Sequence, residues 1–580
     1  MKYPKLRVLE SSRQMVDVFK GYNHNLRIGD GEFFDMKNMT SDHYPVLSPR
    51  GKRGVYASPA SPTGLIAKDA LCYVDGSKFV INEYEIDMGL NEEPKQLISM
   101  GAYVIIMPDK KWINTIDHEW GNIEAHFDNE ESGQSVQFSL CKIDGAEYEN
   151  ISATEPEDPE NLDLWMDTSS IPHTLKQYSK TNEAWVQVPT TYIKISCTGI
   201  GKAFNQYDGV TISGIKDEAL QDLNASHAIW AKDDDYIVVV GILDTVISQS
   251  VEDGVISVDR QMPIMDFVIE SGNRLYGCRY GEAANGEVVN EIYASKLGDF
   301  KNWNCFMSIS TDSWVGGVGT DGQFTGAITH MGYPLFFKEN CVHKVYGNYP
   351  ANFQIQTTAC RGVQKDCDKS LAIVNETLLY KARSGVCAYD GSLPTEVSYA
   401  MGNEVYSEAV GGSHGNKYYI SMKDNLCKHH LFVYDIAKGM WHKEDDIQVD
   451  SFCSCRGELY AISGGKIITM LGSGTKDTED VEWMVQTGEI GISSPDMKYV
   501  SRLTVRMLLD ICAEVQFYAQ YDFSDEWEYL CSFRNVDNLR SFSLPIRPKR
   551  CDHMKLRIEG RGNAKIYSIT KTIEQGSELS

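Results

Sequence analysis

Gly317-Val318-Gly319-Thr320-Asp321-Gly322 has the G-x-G-x-x-G spacing that lets backbone amides approach a pyrophosphate. That chemistry needs a strand before the motif and a helix after it, and Gln323-Phe324-Thr325-Gly326 opens no helix. The stretch reads as a loop. Gly472-Ser473-Gly474-Thr475-Lys476 carries phosphate-loop residue types at the wrong spacing and reads as a turn. Cys453 and Cys455 fall on one strand face, and Cys360 and Cys367 flank a turn, but neither pair has the C-x₂₋₄-C partner pattern of a zinc site. His429, His430 and His442 lie near one another in sequence, yet adjacent strand residues point to opposite faces. The run Asp233-Asp234-Asp235 lacks the alternating geometry of a calcium loop and reads as a solvated hairpin tip.

Two carboxylates about 5–9.5 Å apart would be needed to hydrolyse a glycoside, a relation that linear sequence does not display. No G-x-S-x-G elbow supports acyl transfer. The sequence therefore assigns no catalytic, cofactor-binding or metal-ligating residue and implies no cofactor. The expectation is a chain that is not an enzyme.

The elements that would position any site are strands. Between about residues 266 and 472 one unit recurs, an apolar-aromatic strand, a turn and a second strand. It is seen in Tyr333-Pro334-Leu335-Phe336-Phe337, Thr377-Leu378-Leu379-Tyr380, Lys417-Tyr418-Tyr419-Ile420 and Glu458-Leu459-Tyr460-Ala461. Phe336, Leu379, Tyr419 and Tyr460 follow one another at roughly 40 residues, the repeat of a four-stranded propeller blade. A blade cannot bury both faces alone, so blades must stack radially. Unrelated hairpins in a sandwich are the alternative. Leu71-Cys72-Tyr73-Val74 and Gly101-Ala102-Tyr103-Val104 supply earlier blades. The stretch 119–250, with the acidic loop Glu155-Pro156-Glu157-Asp158-Pro159-Glu160, breaks the rhythm and reads as an inserted β-domain. From about 478 onward, Glu514 to Tyr521 and His553 to Glu559 alternate apolar with polar, as in an antiparallel sandwich. The best helix candidate, Lys216 to Leu223, is short.

The expected architecture is thus all-β: an N-terminal extended segment (1–54), first propeller blades (55–118), an inserted small β-domain (119–250), the remaining blades (251–477) and a C-terminal β-sandwich (478–580). Apolar residues at 42% and charged residues at 23% exclude a wholly disordered chain. A net charge of −26 repels phosphate backbones, which argues against a sequence-reading nucleic-acid binder. Met1 to Arg7 is basic but has no apolar stretch behind it, and no window approaches ~20 apolar residues, so neither a targeting signal nor a membrane partner is expected. The fifteen cysteines, scattered singly, fit a reduced cytosolic origin. Trp483 and Trp527 read as core residues of the sandwich.

Phe19 to Thr40, followed by Ser41-Asp42-His43-Tyr44-Pro45-Val46-Leu47-Ser48-Pro49-Arg50, resembles the opening of bacteriophage tail stabilisation or tail nozzle-type structural proteins. Glu291 to Phe300 and Ser543 to Asp552 are similar to text in the same proteins. The resemblance implies a structural protein of a phage tail or neck, located in the virion and made in the bacterial host cytoplasm. It implies a homo-oligomeric ring, sixfold, that touches portal, adaptor or other tail proteins and bounds the channel through which packaged DNA passes as a non-specific passenger. Two readings stay open beside it: a carbohydrate-binding or glycan-cleaving propeller used in host recognition, and a cellular scaffold without a virion role.

Overall fold

Period-2 alternation of β-branched and aromatic residues with polar ones leaves this chain little choice but extended strands joined by tight turns. The computed structural model describes residues 11–130, 132–283, 286–473, 475–476, 480–493, 496–522 and 524–575; the basic start Met1 to Arg7 and Gly474 lie outside the described residues. The chain is all-β, a β-propeller with an inserted β-domain and a C-terminal β-sandwich. It divides into two compact units, one of residues 1–95, 337–342 and 358–580, the other of residues 96–336 and 343–357.

In the first unit, antiparallel meanders follow one another as the sequence rhythm requires. One is Ala372–Val374, Thr377–Ala382, Gly385–Tyr389 and Thr395–Glu396; the next is Tyr406–His414, Lys417–Asp424, His429–Asp435 and Met440–Lys443. Ser451–Cys455, Glu458–Ser463 and Lys466–Thr469 form the third, and Pro62–Ala67, Leu71–Asp75, Lys78–Ile81 and Tyr84–Asp87 the fourth. The first strand of each packs on the first strand of the next, from Ala372–Val374 through Tyr406–His414 and Ser451–Cys455 to Pro62–Ala67. Tyr419, Leu431, Val433, Leu459 and Met470 fill one interface between sheets; Leu65, Leu71, Cys455, Ile462 and Ile467 fill another. In the third meander Gly54–Ala57 takes the fourth position by pairing with Lys466–Thr469, and Thr475–Lys476 pairs Gly54–Ala57 beyond it. A strand from near the start of the chain thereby completes a sheet formed near its end.

The N-terminal segment does a second thing. Tyr22 pairs with Trp441 at the edge of the second meander, and Gly21–Tyr22 runs parallel to Glu32–Lys37. Glu32–Lys37 pairs in turn with Glu482–Thr487 of the sandwich. A blade and the sandwich thus share one ten-stranded sheet. Gly21 makes this seam feasible: its φ is +85°, and a Cβ there would lie 2.3 Å from the Trp441 carbonyl oxygen. Gly21→Ala is expected to cost at least about 1–2 kcal/mol from the left-handed backbone alone, with the clash added, read as a lower denaturant midpoint. An unchanged midpoint would mean that the seam is not closed by Gly21–Tyr22.

The other sandwich sheet comprises Ser11–Val16, Ala564–Gln575, Lys498–Leu509 and Arg540–Ser543, with Arg550–Cys551 also pairing Lys498–Leu509. Its inward residues, among them Leu503, Val505, Met507 and Ile566, are buried, as are Val485, Val515, Phe517, Leu556 and Ile558 of the ten-stranded sheet. Trp483 is buried with them, its indole Nε1 donating to the Gly562 carbonyl at 2.9 Å. Trp527 is only half-buried, at variance with the expected core position.

The second unit holds the meander Gln96–Met100, Tyr103–Met107, Lys111–Asn114 and Trp120–Asn122, and another of Phe267–Ser271, Arg274–Glu282, Val288–Ala294 and Trp314–Gly317. The strands of the inserted domain lie between them. The insertion enters and leaves through paired strands, Ala125–Asp128 against Ser257–Arg260. Its core gathers Phe138, Ile193, Ile195, Val210, Ile237 and Val258. Arg260 and Asp208, both buried, pair at 2.5 Å near this neck. The expected helix is a single 3₁₀ segment, Glu218–Leu223, capped by Asp217, whose Oδ1 accepts the Ala219 amide at 2.9 Å.

Candidate functional site: the outer face of the sandwich

Alternation along Glu482–Thr487, Met554–Arg561 and Glu514–Tyr521 sends one set of side chains into the sandwich core and the other outward. The pairing register then sets the outward set in rows. Glu482, Arg561 and Glu514 stand opposite one another, followed by Arg534; Lys37, Met484, Glu559 and Gln516 form the next row; Gln486, Arg557 and Tyr518 the next. Opposite residues on neighbouring strands are close enough to bond.

They do bond. Arg534 Nη2 donates to Glu514 Oε2 at 2.6 Å, and Gln516 Nε2 to Glu514 Oε1 at 3.3 Å. Those contacts, with the Arg534 bond foremost, hold the Glu514 carboxyl below the usual glutamate range. Tyr518 donates its hydroxyl to Gln516 Oε1 at 2.6 Å, and its ring meets Tyr529 edge-on at 5.6 Å between centroids. Arg557 Nη2 donates to Gln486 Oε1 at 3.0 Å, while Nη1 lies 3.6 Å from Glu559 Oε1. The Arg557 guanidinium also sits 4.2 Å from the centre of the Trp527 ring. The half-buried Trp527 is therefore a wall of the outer face. A depression of about 460 Å³ opens over the first two rows, lined by Lys37, Glu482, Met484, Glu514, Gln516 and Glu559 among others.

Fixed amides, guanidinia and carboxylates beside flat aromatic rings can take a ligand with hydroxyl edges and an apolar ring face. Three of the lining residues are glutamates on neighbouring strands, so the same surface also concentrates carboxylates. The arrangement suits binding of a polar, ring-shaped molecule.

The motifs singled out by sequence lie elsewhere and are not brought together. Gly317 ends the strand Trp314–Gly317, and a loop without helix follows. Asp234 and Asp235 form the turn between Ala231–Asp233 and Tyr236–Val240. Cys453 and Cys455 share the strand Ser451–Cys455, and none of the fifteen cysteines forms a disulfide. Burial pushes Cys453 and Cys72 up to about 12. His430 bridges Asp424 and Asp446, each at 2.9 Å. Hydrogen bonding to His430 leads the causes that bring the Asp424 carboxyl down to about 2. Among the described residues no three His, Cys, Asp or Glu side chains converge as metal ligands. Gln486, Gln516 and Arg557 were invisible as a site in the sequence, because only the pairing register aligns them.

The fold and site define an all-β propeller protein with a polar-aromatic sandwich face. No family model matches the chain. No curated protein matches it either. Among solved structures it is similar to an exo-β-1,3-galactanase from Phanerochaete chrysosporium, with 9% identity and TM-score 0.20 over 52% of this chain and 94% of that one. It is also similar to an acylaminoacyl peptidase from Pyrococcus horikoshii, with 9% identity and TM-score 0.23, spanning 54% of this chain and 55% of the peptidase. A third is a Trypanosoma rangeli sialidase, with 7% identity and TM-score 0.16 over 90% of this chain and 95% of that one. These values carry no activity across. The expectation that the chain is not an enzyme is corrected: the solved structures it is similar to are a galactanase, a peptidase and a sialidase, and the lack of a catalytic motif in the sequence gives no ground for excluding catalysis.

Proposed function

We propose that this chain is a glycan-binding propeller protein that holds its ligand on the outer face of the C-terminal sandwich. The observation that carries this reading is the Arg557 cluster: one guanidinium sits 4.2 Å from the centre of the Trp527 ring and bonds Gln486, beside Tyr518 and Glu559. Such a cluster offers a sugar's hydroxyls a set of already oriented partners, with the Tyr518 and Tyr529 rings beside them. The test is an array of bacterial surface glycans probed with the full chain, with product analysis of every bound glycan. Selective binding that Trp527→Ala removes is expected; cleavage of a bound glycan would extend the reading to catalysis. Absence of any selective signal contradicts it.

A second reading, a ring subunit of a phage tail, is favoured by a different observation. The stretch that resembles tail nozzle proteins, residues 19–50, is the one that seams a blade to the sandwich through Gly21–Tyr22 and Glu32–Lys37. Rigid coupling of that kind suits a part gripped by neighbours. Negative-stain images and mass photometry of the purified chain separate the readings: closed rings of several copies support it, and a monomer at every concentration opposes it.

A further inference from the structure

A second cavity lies in the first unit, away from the sandwich rows. Its wall is the turn between Thr377–Ala382 and Gly385–Tyr389, the connection from Glu396 to Tyr406, and Asn25. Its volume is about 340 Å³, room for a molecule of monosaccharide size. The walls are drawn together closely. A Cβ on Gly385 would lie 2.0 Å from Ser398 Oγ, the atom that accepts the Val386 amide at 2.9 Å. The 3₁₀ turn Tyr399–Met401 is fixed by the N-terminal segment, where His24 donates its amide to the Ala400 carbonyl at 2.7 Å.

Lys381 is part of this wall and is 3% exposed. Its ammonium donates to Gln364 Oε1 at 2.8 Å and to the Ala382 carbonyl at 2.6 Å. Both acceptors are neutral. An ammonium has three donors and a full charge, and burying one without a counter-charge is costly. Burial duly pulls the Lys381 amine below the usual lysine range. Glu396 offsets this burial only as the smallest of the charges acting on the amine, and its carboxylate bonds Arg361 at 3.0 Å. Arg383, exposed on the same wall, adds a second cation, while Glu404 opposes a ligand with more than one negative charge. Asn403 offers an amide partner, while the Ser398 hydroxyl already accepts from Val386 and donates to Glu396.

We propose that this cavity is a binding site for a small hydroxylated monocarboxylate of sugar-acid size, with its carboxylate on Lys381. A ligand carboxylate would give Lys381 the directly bonded counter-charge that its two neutral acceptors do not, and the size and polar wall of the cavity accommodate the hydroxyls. This goes beyond the sandwich reading and does not depend on it.

Calorimetric titration of the full chain with sodium D-glucuronate, D-glucose and inorganic phosphate tests the assignment. Glucuronate is expected to bind, glucose to give no heat, and phosphate to bind at least about tenfold more weakly. Lys381→Met is expected to weaken glucuronate binding at least about tenfold. Arg383→Ala, which alters an exposed side chain, is expected to weaken it severalfold and keeps the test decisive if Lys381→Met does not fold. Arg557→Ala, on the sandwich face, is expected to leave it unchanged. No heat from glucuronate up to about 10 mM overturns the proposal. So does equal binding of glucose or phosphate, or a glucuronate affinity that responds to Arg557→Ala and not to Lys381→Met or Arg383→Ala.

Discussion

Arg53→Met is expected to lower the unfolding free energy of the first unit by about 3–5 kcal/mol, because it strands a buried carboxylate. Arg53 Nη2 lies 2.6 Å from Glu444 Oε2, and Nη1 lies 2.7 Å from Asp445 Oδ2. Arg50 reaches the same two carboxylates at 3.6 and 3.3 Å. Glu444 is 5% exposed, so water cannot replace the lost guanidinium. Arg50 retains its Asn38 bond at 2.9 Å and approaches Glu444 less closely. The cluster therefore ties the segment entering Gly54–Ala57 to the strand leaving the second meander. Adding Glu444→Gln to Arg53→Met should recover part of the loss, because the stranded charge is then gone. Denaturant unfolding of the four proteins of this cycle measures the effect. A single-variant loss under about 1 kcal/mol would mean that the cluster behaves as an exposed ion pair.

His442 yields the second large effect, through pH. Burial, helped by the Lys417 charge, pushes its imidazole from 6.5 down to about 3. Asp435 and Asp42 oppose that shift, and Lys438 adds to it. The folded chain thus keeps His442 neutral where the unfolded chain is protonated. Stability from this residue is complete above about pH 6.5 and declines as pH falls toward 3, by about 1.4 kcal/mol per pH unit. His442→Gln should flatten the stability curve across that window while leaving its lower end, where the Asp424 carboxyl titrates near 2, in place. Equal slopes for the two proteins between pH 6 and 4 would show that His442 is protonated in the folded state.

The blade rhythm was legible because each meander repeats an aromatic-apolar strand around Phe336, Leu379, Tyr419 or Tyr460, and burial of that strand is a local matter of composition. What was not legible is whatever depends on pairing across hundreds of residues. Gly54–Ala57 is too short to announce a strand, and nothing near it in sequence names Lys466–Thr469 as its partner. The two-residue strand Gly21–Tyr22 likewise gives no periodic signal, though it makes a ten-stranded sheet out of a blade and a sandwich. Alternation in Glu514 to Tyr521 and in His553 to Glu559 disclosed a two-faced sheet, but a face becomes a site only when Gln486, Arg557 and Tyr518 fall into one row. Lys381 gives no signal in the sequence, because its burial depends on Gln364, seventeen residues earlier, meeting its ammonium.

The sandwich-face reading is tested most directly by the equilibrium affinity of the chain for the strongest glycan on the array, measured in parallel for Arg557→Ala and for the unaltered protein. Removing the guanidinium takes away the hydrogen bond to Gln486 and the stacking partner of Trp527, without touching the buried side of the sheet. Arg557→Ala is expected to lose at least about tenfold in affinity with the denaturant midpoint nearly unchanged. An affinity equal to that of the unaltered chain would place glycan recognition elsewhere and contradict the sandwich-face reading.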